Sequence, residues 1–384
     1  VNTSSTEVKA VKVRFLEGKN SKEVLDFNLY LSPNDEWTGA VTRTDVGAGL
    51  TSSDTSCIAP RQLPPLGTSP EEFRNVEYGP QSSNPDSVPG TDRTREGYIE
   101  IIEMGVVADV TINGTNHAAA ATHPQSGPVP TPIPPDCASV RAAASGIFNT
   151  VDAAITQPTG GLYGFVTLIN LDAGVKSSVD AVALDNFFFD ELDPEADLHT
   201  TPGTTGPSLE NVFPARADVL DGNAIVTSWA TSGRNIDAVS MVLMHDTIAN
   251  DYEIDHERFS KTDWVVTFPT KRSYVDQDPD LVTNPAEWAP FQELWDTDTS
   301  SSCDPVSLTF WDREEQQQQF QDDFSPRPVV PGTSLCNEVN TLSAIPNGAP
   351  SDYITLFGAE FTTAAFEMAF GFQNGWMRMG FNGT

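Results

Sequence analysis

The chain has 384 residues and a net charge of −33, from 54 acidic and 21 basic residues. This charge argues against nucleic acid as a partner, because phosphate binding requires clustered Lys and Arg. No apolar run approaches the roughly 20 residues that a membrane helix needs, which argues against membrane insertion.

The first predicted elements are strands. Residues 10–15 alternate in polarity, with Val11, Val13 and Phe15 on one face, and residues 24–31 alternate in the same way. A third short segment, 37–41, follows a turn. A period of two is typical of half-buried strands, so these segments predict an antiparallel meander with one solvated face.

Two long stretches, 44–95 and 112–136, are rich in Pro, Ser, Gly and Asp and lack periodicity. Prolines remove the backbone donors that a sheet ladder requires, so both stretches are predicted to be loops. The strand 97–104 separates them. Residues 136–149 form the best predicted helix, because Asp136 is a good N-cap and an alanine-rich segment follows it.

The rest of the chain is dominated by predicted strands. They are placed at 162–169, 223–230, 236–244, 264–268, 305–311, 353–358, 364–372 and 375–381. Strands at this spacing are typical of β-sandwiches. The predicted fold is mainly β, with one or two antiparallel, Ig-like β-sandwich domains, long Pro-rich loops and one short helix. The strand-rich region spans 1–384, with an alternative division into 1–135 and 136–384.

Four cysteines, Cys57, Cys137, Cys303 and Cys336, occur in contexts typical of loops and strand ends, and none forms a CxxC motif. Zinc ribbons, thioredoxin-like sites and c-type haem attachment are therefore disfavoured. Four cysteines allow three pairings. We favour the two closest in sequence, 57 with 137 and 303 with 336, which implies an oxidising compartment. Four reduced thiols in a cytosolic protein remain the alternative.

The most metal-like spacing is an acidic loop near residue 280. Asp276, Asp278, Asp280 and Glu287 occupy positions one, three, five and twelve of a calcium loop, and hard oxygen ligands at this spacing suit calcium. Leu281 stands where the sharp turn requires Gly, and prolines interrupt the segment, so an EF-hand is disfavoured. A looser calcium site and a plain solvated loop both remain open.

Catalytic signatures are weak. His245 and His256 lie at the ends of a predicted hairpin, 241–257, but a zinc site needs three or four placed ligands. The nucleophile-elbow motif GxSxG does not occur. A Ser-His-Asp set and a carboxylate pair for glycoside hydrolysis remain open, although no pattern selects particular residues.

The segment TDWVVTFPTKRSYVD, residues 262–276, joins a predicted strand to two adjacent basic residues, Lys271 and Arg272. Since Pro269 ends the strand, both cations are predicted to project from its end. One interpretation is an intramolecular surface pair that stabilises little, about 0–1 kcal/mol. The other is an intersubunit contact in which scarce positive charge fixes the register.

Several long blocks carry a resemblance over nearly the whole chain. They include KVRFLEGKNSKEVLDFNLYLSP, PTGGLYGFVTLIN and TDWVVTFPTKR. Through them the chain resembles a group of uncharacterised secreted surface proteins of proteobacteria. The resemblance implies export through a signal peptide and an extracytoplasmic location. It also implies strand residues ahead of Val1, which would make Val1 a trimmed start, and it supplies no catalytic residues.

Three functions compete. The favoured one is an extracellular structural protein that self-associates, as the subunit of a filament or surface layer. Its N-terminal strand, with Val11, Val13 and Phe15, would add to a neighbour's sheet, and Lys271 and Arg272 would complete the contact. The second is a secreted glycan-binding module, with exposed tryptophans stacking on sugars: Trp37, Trp288, Trp295 and Trp376. The third is a secreted hydrolase.

Overall fold

The computed structural model describes residues 1–124, 133–172, 174–230, 234–257, 260–276, 290–318, 333–348 and 362–381. These residues form many strands and few helices, which confirms the predicted mainly β class. None of their helices has the length and hydrophobicity needed to cross a membrane.

The strands of the described chain are, in order, β1 (Val8–Glu17), β2 (Glu23–Leu31), β3 (Ala40–Arg43), β4 (Ala48–Thr51), β5 (Cys57–Ala59), β6 (Glu71–Glu72), β7 (Gly97–Val107), β8 (Thr111–Ile112), β9 (Thr115–Asn116), β10 (Ile155–Thr156), β11 (Phe165–Asn170), β12 (Val175–Asp180), β13 (Arg216–Asp221), β14 (Ala224–Trp229), β15 (Thr247–Glu253), β16 (Thr262–Thr267), β17 (Asp304–Asp312), β18 (Thr333–Leu335), β19 (Val339–Pro346), β20 (Thr362–Met368) and β21 (Asn374–Phe381). The α-helices are α1 (His117–Ala121), α2 (Cys137–Ala144), α3 (Ile236–Leu243) and α4 (Arg272–Val275). Short 3-10 helices cover Thr91–Arg95, Ile147–Asn149 and Leu209–Asn211.

The chain forms two compact units. The first comprises Val1–Glu17, Lys22–Phe165 and Asp180–Leu243, and the second comprises Gly18–Ser21, Val166–Val179 and Met244–Thr384. The expected division at residue 135 is therefore misplaced. Helix α2 follows that point directly, yet it packs into the core of the first unit and carries a cysteine bonded to β5.

The first unit is built on a five-stranded antiparallel sheet in the order β10-β7-β1-β2-β5. Both faces of this sheet are buried along β1, whereas β7 exposes Ile99 and Ile101. One face meets α1 and α2 through residues such as Tyr30 and Met104, and the other packs Val13 and Phe27 against Leu50 of β4 and the loops that follow it. The predicted meander is correct for β1 and β2, but the solvated face is not, and Ala40–Arg43 pairs with β4 instead of β2.

Strand β1 can be buried along its whole length because its charged side chains form ion pairs inside the protein. Lys9 and Lys12 are fully buried. Lys9 lies 2.8 Å from Glu103, Lys12 pairs with Asp26, and Arg14 pairs with Glu100 and with a second carboxylate on β2. Alternating polar residues normally indicate a solvated face, but here each cation meets a carboxylate inside the protein.

A second buried ion cluster holds the 3-10 helix Thr91–Arg95 against the end of β1. Arg93 donates from Nε and Nη2 to the two carboxylate oxygens of Glu17, each at 2.7 Å, and from Nη1 to Asp86, also at 2.7 Å. Its guanidinium carbon lies 3.9 Å from the centroid of the Tyr78 ring. Burial by itself lowers the pKa of Arg93, but the hydrogen bonds and charges of both carboxylates raise it above its ordinary value.

The stretch 44–95, predicted to be a loop from its prolines, also contains β4, β5 and β6, and Cys57 within it forms a disulfide with Cys137. That bond joins β5 to the start of α2. Asp136 caps the helix as predicted, with its side chain accepting from the backbone N–H of Ser139. Arg141 on the same helix donates to the backbone carbonyl of Ile58 at 2.7 Å, so the helix and β5 are joined twice.

The second unit contains a four-stranded antiparallel sheet, β15-β21-β17-β18, and a three-stranded sheet, β16-β19-β20. The pair β19 and β20 is parallel. Side chains from both sheets share one core, including Phe310 and Met377 from the first sheet and Trp264 and Leu342 from the second. This shared core is the arrangement of a β-sandwich.

One predicted strand is wrong. Residues 236–244 form helix α3 over Ile236–Leu243, which buries Ile236 and Val239. A continuous apolar run of this length is compatible with a buried strand or a buried helix, and periodicity alone does not separate them. The predicted strand 353–358 lies outside the described residues.

Candidate functional site

Both predicted disulfides are present. Cys57 pairs with Cys137 across 80 residues, and Cys303 pairs with Cys336 across 33 residues. The pairing of nearest neighbours in sequence is thus confirmed, and the alternative of four reduced thiols is wrong.

The two predicted cationic contacts do not project from a strand end. After Pro269 the chain turns into α4, and Lys271 is 1% exposed. Its Nζ donates to the carbonyl oxygens of Ser302 at 2.6 Å and Leu335 at 3.3 Å. The ammonium of Lys271 is therefore hydrogen-bonded inside the second unit. This position corrects both predictions for the residue, the surface ion pair and the intersubunit contact.

Arg272 is closer to the surface but is also held within the second unit. Its Nη1 donates to the carbonyl oxygen of Ser21 at 2.9 Å, and its Nε lies 3.4 Å from the carboxylate of Asp276. The third predicted contact, the strand with Val11, Val13 and Phe15, is β1. All three side chains are buried, and β1 is paired on both edges, with β2 and β7. Adding this strand to a neighbour would require it to leave one of these partners.

Of the predicted calcium ligands, the structure describes Asp276, whose carboxylate faces Arg272. Asp278, Asp280 and Glu287 lie outside the described residues. Across the described ranges no three His, Cys, Asp or Glu side chains form a group that would hold a metal ion.

The predicted hairpin between His245 and His256 does not form. Its first part belongs to α3, and the remainder is the single strand β15, which pairs with β21. The ring of His256 instead stacks on Phe370, with centroids 4.5 Å apart. The hairpin that was predicted to bring His245 and His256 together at a metal site is therefore absent.

One hydroxyl–imidazole–carboxylate arrangement emerges that sequence analysis did not select. His123 has its Nε2 3.1 Å from Oγ1 of Thr55, and its Nδ1 lies 2.8 Å from Oγ of Ser32 and 3.4 Å from Asp35. The same Asp35 oxygen accepts from the backbone N–H and hydroxyl of Ser32, both at 2.9 Å, and from Ser56. This carboxylate joins three segments of the first unit, so we interpret the cluster as structural.

A second histidine, His199, is buried in the first unit. Its Nδ1 is 3.0 Å from the side-chain oxygen of Asn149, and its Nε2 is 2.9 Å from the hydroxyl of Tyr30. Burial, followed by the charge of Lys12, lowers the pKa of His199 to about 4, so the imidazole is neutral at physiological pH. A neutral ring that donates to the exposed Asn149 and accepts from Tyr30 satisfies both buried groups, the imidazole and the phenol.

The most unusual exposed feature is the ribbon of β11 and β12. Every side chain of β12 is exposed, and β11 exposes Phe165, Val166 and Ile169, with Leu171 beyond its end. The two strands form a sheet of their own, joined by a hydrogen bond of 2.9 Å between the hydroxyls of Thr167 and Ser178. Strand β11 carries no charged residue, although the chain as a whole is strongly acidic.

A second ribbon is formed by β13 and β14. Helix α3 packs on it, and Ala217 is buried. Its outer strand exposes Ile225 and Trp229, but the ribbon also carries an exposed ion pair, Arg216 with Asp218 at 2.7 Å. This ribbon therefore has both an internal support and a charged edge.

The second unit contains an open groove of about 430 Å³. Asp251, Glu253, Thr262, Arg313 and Trp376 line it. The ring of Trp376 is 37% exposed and stacks on Trp311 with centroids 4.0 Å apart and an interplanar angle of 11°. An aromatic face bordered by carboxylates and a guanidinium has the chemistry to stack on a sugar ring and hydrogen-bond its hydroxyls.

The other tryptophans proposed for sugar stacking have different positions. Trp37 packs against Phe27, and Trp295 is partly buried, with its backbone N–H bound to Val275. Trp288 lies outside the described residues. Among the described residues, Trp376 is thus the one of these four tryptophans that lines a groove suited to a ligand.

No protein family model, curated protein or solved structure matches the chain. The functional interpretation consequently depends on the geometry of the described residues.

Proposed function

We propose that this protein is an extracytoplasmic structural protein whose copies associate through the ribbon of β11 and β12. The observation that carries the proposal is an ordered, two-stranded ribbon with exposed apolar side chains. Isolated two-stranded ribbons are marginally stable in water, and open apolar edges are templates for further strands. Two disulfides support an oxidising location outside the cytoplasm.

The ribbon has one clearly apolar face. The bond between Thr167 and Ser178 places those residues on the same face, so strand alternation puts Val166, Val175 and Val179 on the opposite one. Each of these valines is at least 40% exposed. A partner that covers this face would remove apolar surface from water at about 25 cal/mol per Å².

The charges of β12 are complementary to those of β12 in a second copy of the chain. Antiparallel pairing of two β12 strands about Ser178 places Lys176 of each copy opposite Asp180 of the other. Such a contact is isologous, because the same pair occurs twice around the twofold axis. Opposite charges directly across an antiparallel pair stabilise it, whereas like charges destabilise it. The pairing joins two ribbons into a four-stranded sheet, and further contacts would extend dimers into a filament or layer.

The association is tested by analytical ultracentrifugation over a range of concentrations, with negative-stain microscopy in calcium and then in chelator. Lys176→Glu places acidic side chains opposite each other at two positions, so we expect it to weaken association about tenfold. Lys176→Glu combined with Asp180→Lys restores opposite charges and should restore association. Loss of assemblies in chelator would support a calcium requirement at the acidic loops.

The matched control is Arg216→Glu on the second ribbon, which changes charge equally and should leave association unchanged. A protein that stays monomeric at high concentration in both calcium and chelator would refute the proposal. So would a double variant that associates no better than Lys176→Glu alone.

The groove beside Trp376 supports glycan binding as a second candidate function. If it binds a sugar polymer, Trp376→Ala should lower the affinity about tenfold, because the stacking face is lost. Trp229→Ala, which removes another exposed tryptophan, is the control and should have no effect. Calorimetry on any glycan found by array screening measures this, and an array without hits removes the candidate.

A further inference from the structure

The buried ammonium of Lys271 lies beside a carboxylate in the second unit. Its Nζ is 2.6 Å from Oδ2 of Asp304, and its side chain is 1% exposed. The rings of Phe268 and Phe291 flank it, with their centroids 5.6 Å and 5.4 Å from Nζ. Water is therefore largely excluded from the place where amine and carboxylate meet.

The contact between these two groups is not an ordinary hydrogen-bonded ion pair. Although Oδ2 of Asp304 is only 2.6 Å from Nζ, it is buried and makes no hydrogen bond within the described residues. Nζ makes no hydrogen bond to this oxygen, whereas the carbonyl oxygens of Ser302 and Leu335 both accept from Nζ. Because a carbon–oxygen bond is about 1.2 Å long, Nζ lies within about 4 Å of Cγ of Asp304.

The other oxygen of Asp304 is held separately. Oδ1 accepts the backbone N–H of Gln292 at 2.8 Å. A backbone N–H at this position stabilises negative charge that develops on Oδ1 when a nucleophile attacks Cγ. The site thus combines a buried amine, a carboxyl carbon within reach and a donor for the developing oxyanion.

We propose that Lys271 and Asp304 condense into an intramolecular amide. A proton first passes from the ammonium to the carboxylate, so the pair becomes an amine and a carboxylic acid. Nζ then forms a bond to Cγ, the bond from Cγ to Oδ2 breaks, and this oxygen leaves as water with one proton from the acid and one from nitrogen. The products are a neutral secondary amide and one water molecule, and no oxidant, activating nucleotide or metal is consumed.

Two features of the surroundings favour this product. A buried ion pair retains a desolvation penalty, and a neutral amide removes both charges. The rigid placement of the two groups by β17 and by the turn before α4 also replaces a collision between separate molecules, which is the source of high effective concentration.

The first test is the intact mass of the purified, reduced and denatured chain. The amide makes the protein lighter by one water, about 18 Da. Trypsin should then fail to cleave after Lys271 and should yield a branched peptide that joins residues 262–272 to residues 273–313. A cyclic imide at Asp304 would have the same mass, but Pro305 lacks the backbone N–H from which such an imide forms.

Variants localise the bond. Lys271→Met and Asp304→Ala should each have the full mass expected from their sequences. Lys12→Met is the matched control, because Lys12 is equally buried but makes a hydrogen bond to the carboxylate of its partner Asp26. It should keep the loss of one water. A wild-type chain of full mass that trypsin cleaves after Lys271 would overturn the proposal, and this result does not depend on whether any variant folds.

Discussion

Replacing Arg93 with Ala is expected to lower the free energy of unfolding of the first unit by about 3–5 kcal/mol, because it leaves buried carboxylates without their cation. Glu17 is 1% exposed and Asp86 is 6% exposed, so water does not easily replace the guanidinium. The same change removes the cation that packs on the Tyr78 ring. Urea unfolding followed by circular dichroism measures the effect.

Arg216→Ala is the appropriate control for this prediction. Arg216 also pairs with a carboxylate, Asp218, but both side chains are more than 40% exposed. An exposed pair contributes about 0–1 kcal/mol, so the control should be nearly neutral. Equal losses in the two variants would show that Arg93 does not act through its buried charge partners.

Removing the disulfide between Cys57 and Cys137 is expected to destabilise the first unit by about 4 kcal/mol. The bond closes a loop of 80 residues, and a loop of this length restricts the unfolded chain strongly. In the variant with both cysteines replaced by Ala, backbone amides of β1 and β2 should exchange with deuterium much faster. Hydrogen exchange resolved by mass spectrometry separates this effect from changes in the second unit.

The variant that removes Cys303 and Cys336 provides the reciprocal control. It should speed exchange in β17 and β18 and leave β1 and β2 unchanged, because that bond lies within the second unit. If the first variant leaves exchange in β1 unchanged, the disulfide does not stabilise this sheet.

Local signals in the sequence were sufficient for part of the fold. Alternation identified β1 and β2, and the capping Asp136 located α2. These features depend on neighbouring residues, so a single sequence contains the information. The disulfides could be paired because each cysteine had one closest partner along the chain.

Long-range charge pairing was the main feature that the sequence did not reveal. Lys9 pairs with Glu103, which lies on another strand 94 residues away in the sequence. Lys271 is buried rather than exposed. A charged residue in an alternating strand normally indicates solvent, and nothing local marks the carboxylate that will neutralise it. For this reason the sequence predicts a solvated face for β1 and surface positions for Lys271 and Arg272.

The candidate sites were harder still to locate. Of the ribbon, the sequence predicts only β11, as the strand 162–169, because its apolar residues resemble those of a strand packed on a core; it does not predict β12. Exposure depends on whether another layer covers it, which is a property of the whole fold. Similarly, Trp376 differs from Trp37 only in what the folded chain places around it.

The central position of β1 has a consequence for the order in which the first unit is made. Its partner β2 begins within about ten residues of its end, but its other partner, β7, is completed only at Val107. At translation rates of about 5–20 residues per second, β1 waits roughly 5–20 s for that second edge. During this interval the nascent hairpin has an open edge, and Lys9 still lacks its partner Glu103 on β7. Completion of the sheet is therefore a late, non-local step that sets the folding rate.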